Sequence, residues 1–240
     1  MKEVLFTDKY DSQKEIYIEN SIIFAKGGDG TLLRAIAHYK HLNLPFYGIA
    51  KGTVNFLMND FKKINISLAK VKTFNLIKVK VLYKEDFYYY KDGFKQVKKV
   101  QKEKKYQAFN EIMLGGTMNS WIDFEVKEKD NIIPNFKGGG MIISTAQGST
   151  GINKNNKGVI LPLSSNCWSV TGDKTNKNIN FVLEPHKTEI TVNSRTGVTL
   201  WVDGSNKVIQ SVEKIILTKG KEVKVMFNEY NNFKTKRGQV

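Results

Sequence analysis

The stretch Ile22-Ile23-Phe24-Ala25-Lys26-Gly27-Gly28-Asp29-Gly30-Thr31-Leu32-Leu33 constrains this chain more than any other. Three apolar residues run into a glycine turn carrying one carboxylate. An apolar pattern at helical spacing then starts at once, with Leu32, Leu33, Ile36 and Tyr39. This predicts a buried strand, a tight turn and a helix start. Glycines let a backbone approach a ligand closely, and a helix start offers free N–H groups to a phosphate. Asp29 stands at the mouth of that turn. A carboxylate beside a phosphate site repels its ligand unless it binds a metal or takes a proton from an attacking hydroxyl. Asp is also a good helix cap, and the motif alone leaves both roles open.

The chain has 240 residues, 40% of them hydrophobic and 11% aromatic, which is globular composition with material for one large domain or two small ones. No apolar run approaches a membrane span and Met1-Lys2-Glu3 opens no signal peptide, so the expectation is a cytoplasmic protein without a membrane partner. Cys167 is the only cysteine, which excludes an internal disulfide framework. With His38, His41 and His186 it makes no zinc-ligand cluster. The net charge of +15 fits a nucleic-acid binder or a protein that attracts dinucleotides and triphosphates. The densest basic run, Lys98-Lys99-Val100-Gln101-Lys102-Glu103-Lys104-Lys105, contains an acid and comes with no nucleic-acid-binding signature. It reads as a solvated hairpin end, and no specific nucleic acid is expected.

Along the chain, residues 1–20 offer one short apolar run, Val4-Leu5-Phe6, and a polar connection. After the first helix, Leu44 to Ile49 reads as a second buried strand leading into the glycine turn Lys51-Gly52-Thr53-Val54-Asn55-Phe56-Leu57. Ligands in open α/β sheets collect at such strand ends. From about residue 70 the character changes. Ile77, Val79, Val81 and Tyr83 alternate with polar residues, and Lys91-Asp92-Gly93 marks a hairpin turn. Apolar segments stay short and β-rich to about residue 218. The expected fold is therefore a small α/β, Rossmann-like first domain over 1–70, and an all-β, sandwich-like second domain over 71–220. The tail 221–240 is expected to pack back on the first, with one more strand over Val223–Phe227.

Neither a P-loop nor a Gly-x-Gly-x-x-Gly fingerprint occurs, which disfavours Walker-type ATPases and ordinary Rossmann dehydrogenases. Three further segments carry chemistry. Asn110-Glu111 interrupts the apolar run from Ala108 to Leu114. It is either a set of ribose-binding groups or an exposed polar pair at a strand end. Gly138-Gly139-Gly140-Met141-Ile142-Ile143-Ser144 reads as a glycine turn and a short strand, and Thr145 to Gly151 as a hydroxyl-rich second turn. These are a nucleotide surface or two ordinary β-turns. Trp201-Val202-Asp203-Gly204 matches a hairpin turn.

In this order the segments resemble the NAD kinases: Gly27 to Thr31, Gly48 to Leu57, Asn110-Glu111, Gly138 to Thr150 and Asp203-Gly204. The resemblance spans roughly residues 20 to 230. It implies NAD lying between an α/β and a β domain, and phosphoryl transfer from ATP, or polyphosphate, to the adenosine 2′-hydroxyl. It gives Asp29 the catalytic role, phosphate and ATP binding to Gly27, Gly28, Gly30, Thr31 and Arg34, and NAD binding to Phe56, Asn110, Glu111, Thr145, Gly148, Ser149 and Thr150. Mg²⁺ is implied as substrate-bound with no protein metal cluster, and the protein as a homo-oligomer, a dimer or tetramer. Relatives carry a longer first strand–helix unit, so the N-terminal part is expected to be trimmed. Departures from the pattern are Ala50, Gly139, Ala146, Gln147, Gly151 and Ile152, all on the NAD side. A lipid or other small-molecule kinase of the same superfamily, and a dinucleotide-binding protein without turnover, are the alternatives.

Overall fold

The computed structural model describes residues 3–7, 15–51, 55–116, 120–129, 131–204 and 209–228. The turn residues 52–54 and the tail beyond 228, both used above, lie outside the described residues. In chain order the elements are β1 (Glu3–Thr7), β2 (Glu15–Glu19), β3 (Ile22–Gly27), α1 (Asp29–Tyr39), β4 (Phe46–Ala50), β5 (Lys70–Lys91), β6 (Phe94–Ala108) and β7 (Glu111–Gly115). They continue with β8 (Ile122–Glu128), β9 (Asn131–Ser144), α2 (Ile152–Asn155), β10 (Trp168–Thr175), β11 (Asn180–Leu183), β12 (Thr188–Asn193), β13 (Thr199–Val202) and β14 (Val212–Phe227). The fold is α/β and dominated by sheet. It divides into two compact units, Met1–Leu76 with Pro162–Ser164 and Lys221–Val240, and Ile77–Leu161 with Ser165–Gly220.

In the first unit β3 and β4 pair in parallel, as expected of two strands linked through a helix. The last residues of β14 join the other edge of β4, with Val225 opposite Phe46. On the far side β2 pairs antiparallel with β3, and β1 with β2. The polar connection expected before residue 20 is thus in part a strand. Its Ile16 and Tyr17 are buried, and the Tyr17 ring stacks on Phe24 at 4.9 Å. Helix α1 packs against β3 and β4 and buries Thr31, Leu32, Ala35 and Ile36, which recur at helical spacing on one face. Burying Leu32 and Ile36 contributes roughly 1.5–3 kcal/mol each.

In the second unit β5 and β6 form a long ribbon, paired from Ile77 opposite Ala108 to Lys91 opposite Phe94. The turn falls at Asp92-Gly93, with φ of +52° and +79°. Positive φ at both central residues is the hairpin geometry that an Asp-Gly pair favours. Ile77, Val79, Val81 and Tyr83 face the core, whereas residues 84–99 are exposed. Strand β9 organises the rest. Its first half pairs with β8, its second half pairs with β7 on the same edge, and β10 occupies the other edge. Beyond these lie β11 on β10, β12 on β8, and β13 on β7. Phe124 and Phe136 stack at 5.0 Å in the core between Ile190, Ile215 and Leu217.

One expectation is corrected here. Gly138, Gly139 and Gly140 are not a turn but lie inside β9. A Cβ on Gly138 would stand 2.4 Å from Thr175 Cγ2, and one on Gly140 would stand 2.7 Å from the Leu114 carbonyl oxygen. The glycines let β10 and β7 close on β9, a use of glycine that strands show where another backbone comes near. The hydroxyl-rich turn from residue 145 to 151 is observed as a turn.

Candidate functional site

In the first unit the glycine turn closes where β3 ends. Gly27 takes φ +153°, a value that L side chains rarely adopt, and its carbonyl accepts the Lys51 N–H at 2.9 Å. Gly28 is the helix N-cap and has no side chain to serve as one, so the first turn closes through the Thr31 N–H on the Gly28 carbonyl at 2.9 Å. Asp29 therefore is not the cap. As the first helical residue it reaches the segment after β4. Its Oδ2 accepts the Phe56 N–H at 2.8 Å and its Oδ1 the Leu57 N–H at 3.0 Å. Thr31 is buried, and Arg34 Nη2 lies 3.5 Å from its hydroxyl. A Cβ on Gly30 would meet nothing within 4 Å. Among the described residues, packing does not require that glycine.

Asn59 holds the same region from behind. Its Nδ2 donates to the carbonyls of Gly48 at 3.0 Å and Met226 at 2.9 Å, and its Oδ1 accepts the Asn228 N–H at 2.8 Å. This buried amide joins β4, the segment after it and the end of β14. The sequence reading missed it, since nothing marks one Asn among several as a three-way tie.

In the second unit the centre is the bend Phe109-Asn110 between β6 and β7. The carboxylate of Asp203 accepts three successive N–H groups there, from Phe109 at 2.8 Å, Asn110 at 2.7 Å and Glu111 at 3.2 Å. The Asp203 N–H in turn donates to the Glu111 carbonyl at 3.0 Å. Asp203 sits at φ +50° and Gly204 at +59°, so the turn that follows β13 aims this carboxylate back at the bend. From the other side Thr145 Oγ1 donates to the Phe109 carbonyl at 2.7 Å, and Gln147 Nε2 donates to the same oxygen at 2.6 Å. A Cβ on Gly148 would lie 2.3 Å from the Asn110 carbonyl oxygen, so the two backbones touch.

Two polar groups emerge from this bend without being spent on it. Asn110 Oδ1 is buried and, among the described residues, has no hydrogen-bond partner. Burial, followed by the nearby Asp203 charge, pushes the Glu111 carboxyl up to about 8. Glu111 is therefore protonated at neutral pH and has a hydrogen to donate as well as oxygens to accept. The hydroxyls of the following turn are engaged differently. Ser149 Oγ donates to the Ala146 carbonyl at 2.8 Å and accepts the Leu161 N–H at 3.0 Å. Buried Asn153 bonds the Ser149 carbonyl, Ser169 and Thr171. Thr145 and Ser149 thus shape the turn, and Thr150 is nearly buried beside them. A separate cavity of about 240 Å³ in this unit is lined by Met113, Gly139, Ile152, Asp173 and Trp201, among others. Gly139 has an ordinary φ, and a Cβ there would stand 3.5 Å or more from its neighbours.

No protein-family profile matches the chain. Part of the chain is similar to curated proteins. An NAD kinase of Rickettsia bellii is 34% identical over 155 residues, covering 62% of this chain and 55% of that protein. One of Zymomonas mobilis is 30% identical over 159 residues, covering 64% and 56%. Over these stretches the chain is similar to NAD kinases. It spans little more than half the length of these relatives. An NAD kinase from Archaeoglobus fulgidus, solved in complex with ATP, shares the fold at TM-score 0.69 and 19% identity, covering 92% of this chain and 84% of that one. Yeast NADH kinase, solved with NADH, does so at 0.70 and 18%, covering 89% and 65%.

Of the residues that the NAD kinase resemblance singles out, Gly27, Gly28, Asp29, Gly30, Thr31, Arg34 and Phe56 gather in the first unit, at the turn between β3 and α1 and the segment tied to it. Asn110, Glu111, Thr145, Gly148, Ser149 and Thr150 gather in the second, around the bend held by Asp203. Among the described residues no three His, Cys, Asp or Glu side chains are grouped to hold a metal ion. Asp203 is the residue whose role the sequence reading did not assign. The late Asp-Gly of the family pattern was its signal, and the same pair satisfies any hairpin turn.

Proposed function

We propose that this chain is an NAD kinase, transferring a phosphoryl group from ATP, or polyphosphate, to the adenosine 2′-hydroxyl of NAD. The observation that carries the reading is the bend at Asn110 and Glu111. The fold buries an acceptor there without a partner and, beside it, a carboxyl with a hydrogen to give. A ribose diol, with two hydroxyls that each donate and accept, answers both. The relatives are NAD kinases by name, and the two structural neighbours hold ATP and NADH.

Phosphoryl transfer needs positioning and charge neutralisation more than covalent help from the protein. The turn at Gly27, Gly28, Gly30 and Thr31 supplies N–H groups at a helix start and, at Gly30, open space for a phosphate to come close. Arg34 adds a cation one turn along. Asp29 is the base that takes the hydroxyl proton. Its two main-chain bonds hold the carboxylate in one orientation. Mg²⁺ would be held by the phosphates of ATP and by water and would neutralise part of their charge. The same reading makes the protein a cytoplasmic homodimer or homotetramer with no specific nucleic-acid partner.

Incubation with ATP, Mg²⁺ and NAD, with chromatographic detection of the product, tests the reading. NADP is expected. The engagement of both Asp29 oxygens by Phe56 and Leu57 favours a second reading, a dinucleotide-binding protein in which Asp29 is only a tie. NAD binding by calorimetry without any NADP would select it.

A further inference from the structure

The carboxylate of Asp203 lies outside the set of groups that touch substrate in the reading above, yet the candidate ribose site is built on it. Three consecutive N–H groups converge on this side chain from Phe109, Asn110 and Glu111, and its own N–H returns to Glu111. Three N–H groups in a row cannot pair in a strand ladder at a bend, so a carboxylate that collects them fixes the bend. Asp203 is itself fixed by its place in the turn after β13, which pairs with β7, the strand that begins at Glu111. The bend is closed on its other face by Gly148, whose lack of a side chain lets the backbones touch, and by Thr145 and Gln147.

We propose that Asp203 is the positioning residue of this site: it sets the bend that presents Asn110 and Glu111 to a sugar diol, and it places a second carboxylate against Glu111. The inference rests on the NAD-binding reading for its ligand, but its chemistry is internal to the chain. The charged group that faces Glu111 is the Asp203 carboxylate on the β13 side. On the side of the turn from residue 145 to 151 its carboxyl comes near Gly151, which brings no charge. Burial of Glu111 opposes its ionisation, and the nearby Asp203 carboxylate adds to that resistance. Neutral Glu111 donates one hydrogen bond and accepts others, and Asn110 Oδ1 accepts one more. Once Glu111 ionises, the donor is lost and a second negative charge faces a ligand that is itself a diphosphate.

The test needs two arms. In the first, carboxyl carbon NMR of the unliganded protein, labelled in Glu side chains, follows Glu111 from pH 5 to 9. Glu111→Gln assigns the signal, and Asp203→Asn is then titrated in the same way. The wild-type signal is expected to titrate near 8 and the Asp203→Asn signal at clearly lower pH. Titration of wild-type Glu111 in the ordinary carboxylate range, or at the same pH in both proteins, overturns the proposal. In the second arm calorimetry measures NAD affinity at pH 7 and 9. A loss of about tenfold is expected for wild type, the worth of one hydrogen bond to a polar partner, with no such step in Glu111→Gln. A pH-independent wild-type affinity also overturns it. Should NAD bind at neither pH, the NAD reading falls, while the NMR arm still decides the role of Asp203. Should Asp203→Asn fail to fold, Asp203→Ser, which keeps an acceptor for the N–H groups and removes the charge, is titrated in its place, and an unchanged Glu111 titration overturns the proposal.

Discussion

Replacing Gly30 with Ala separates a glycine kept for the fold from one kept for a ligand. Gly30 is the second residue of α1, its φ is not in the left-handed region, and an added Cβ has no neighbour within 4 Å among the described residues. The substitution therefore brings no clash and removes conformational freedom from the unfolded chain. Ala over Gly in a helix or at a compatible site is worth about 0.4–1 kcal/mol. For a chain of this size that raises Tm by roughly 1–4 °C. The ligand experiences the opposite. A methyl group projecting from the turn holds a phosphate off the N–H groups by more than an ångström, and misplacement on that scale costs about 10²-fold in rate. Thermal melting and initial rates of NADP formation, measured on the same preparations, read both effects. Wild-type rates in a protein of unchanged or higher Tm would refute the placing of the phosphate at this turn. A drop in stability above about 1 kcal/mol would refute the open space itself.

Gly148→Ala should do the reverse, because its Cβ would lie 2.3 Å from the Asn110 carbonyl oxygen and 2.7 Å from its Cα. A loss of about 1–3 kcal/mol by denaturant melting, with weakened NAD binding, is expected, and an unchanged midpoint would show that the two backbones can part cheaply. Asp29→Asn should lose most turnover, about 10²–10⁴ in kcat, and also some stability. An amide there points a donor at either the Phe56 or the Leu57 N–H, at a cost of about 1–3 kcal/mol. Gly139→Asp should fold with stability within about 0.5 kcal/mol of wild type, since the site has space and an ordinary φ. A large loss by thermal melting would contradict that geometry. The Glu111 carboxyl, raised to about 8 from an ordinary 4.5, binds more protons folded than unfolded between those values. The stability it contributes at low pH is lost as pH rises from 4.5 through 8, by on the order of 5 kcal/mol. Glu111→Gln should remove that slope from a pH series of denaturant melts, and a slope equal to wild type would assign it elsewhere.

The parts of the fold that local pattern dictates were legible. The run from Ile22 to Leu33 is strand, glycine turn and helix, and Asp92-Gly93 turns the ribbon. What escaped depends on contacts distant in sequence. The strand Glu15–Glu19 has only three apolar residues between acids, and it is a strand because β3 offers an edge to Ile16 and Tyr17. The glycines of β9 looked like a turn because a sequence does not distinguish glycine used for positive φ from glycine used for a close neighbour. Asp29 looked like a cap or a base. Its bonds to Phe56 and Leu57, 27 and 28 residues away, belong to neither description. Likewise Asp203 meets the Asn110 bend across more than ninety residues. The motif residues themselves were found by the family pattern, but the hydroxyls of Thr145 and Ser149 proved to be spent on main-chain partners within the second unit.

The central claim, phosphoryl transfer to the 2′-hydroxyl with Asp29 as base, is tested most directly by phosphorus NMR of a reaction of wild type and Asp29→Asn with ATP, Mg²⁺ and NAD. The account predicts a new 2′-phosphomonoester resonance growing as ADP appears in the wild-type reaction, and its near absence with Asp29→Asn at the same NAD occupancy. Equal growth of that resonance in both proteins, or ADP appearing in the wild-type reaction with no phosphate on the ribose, would contradict it.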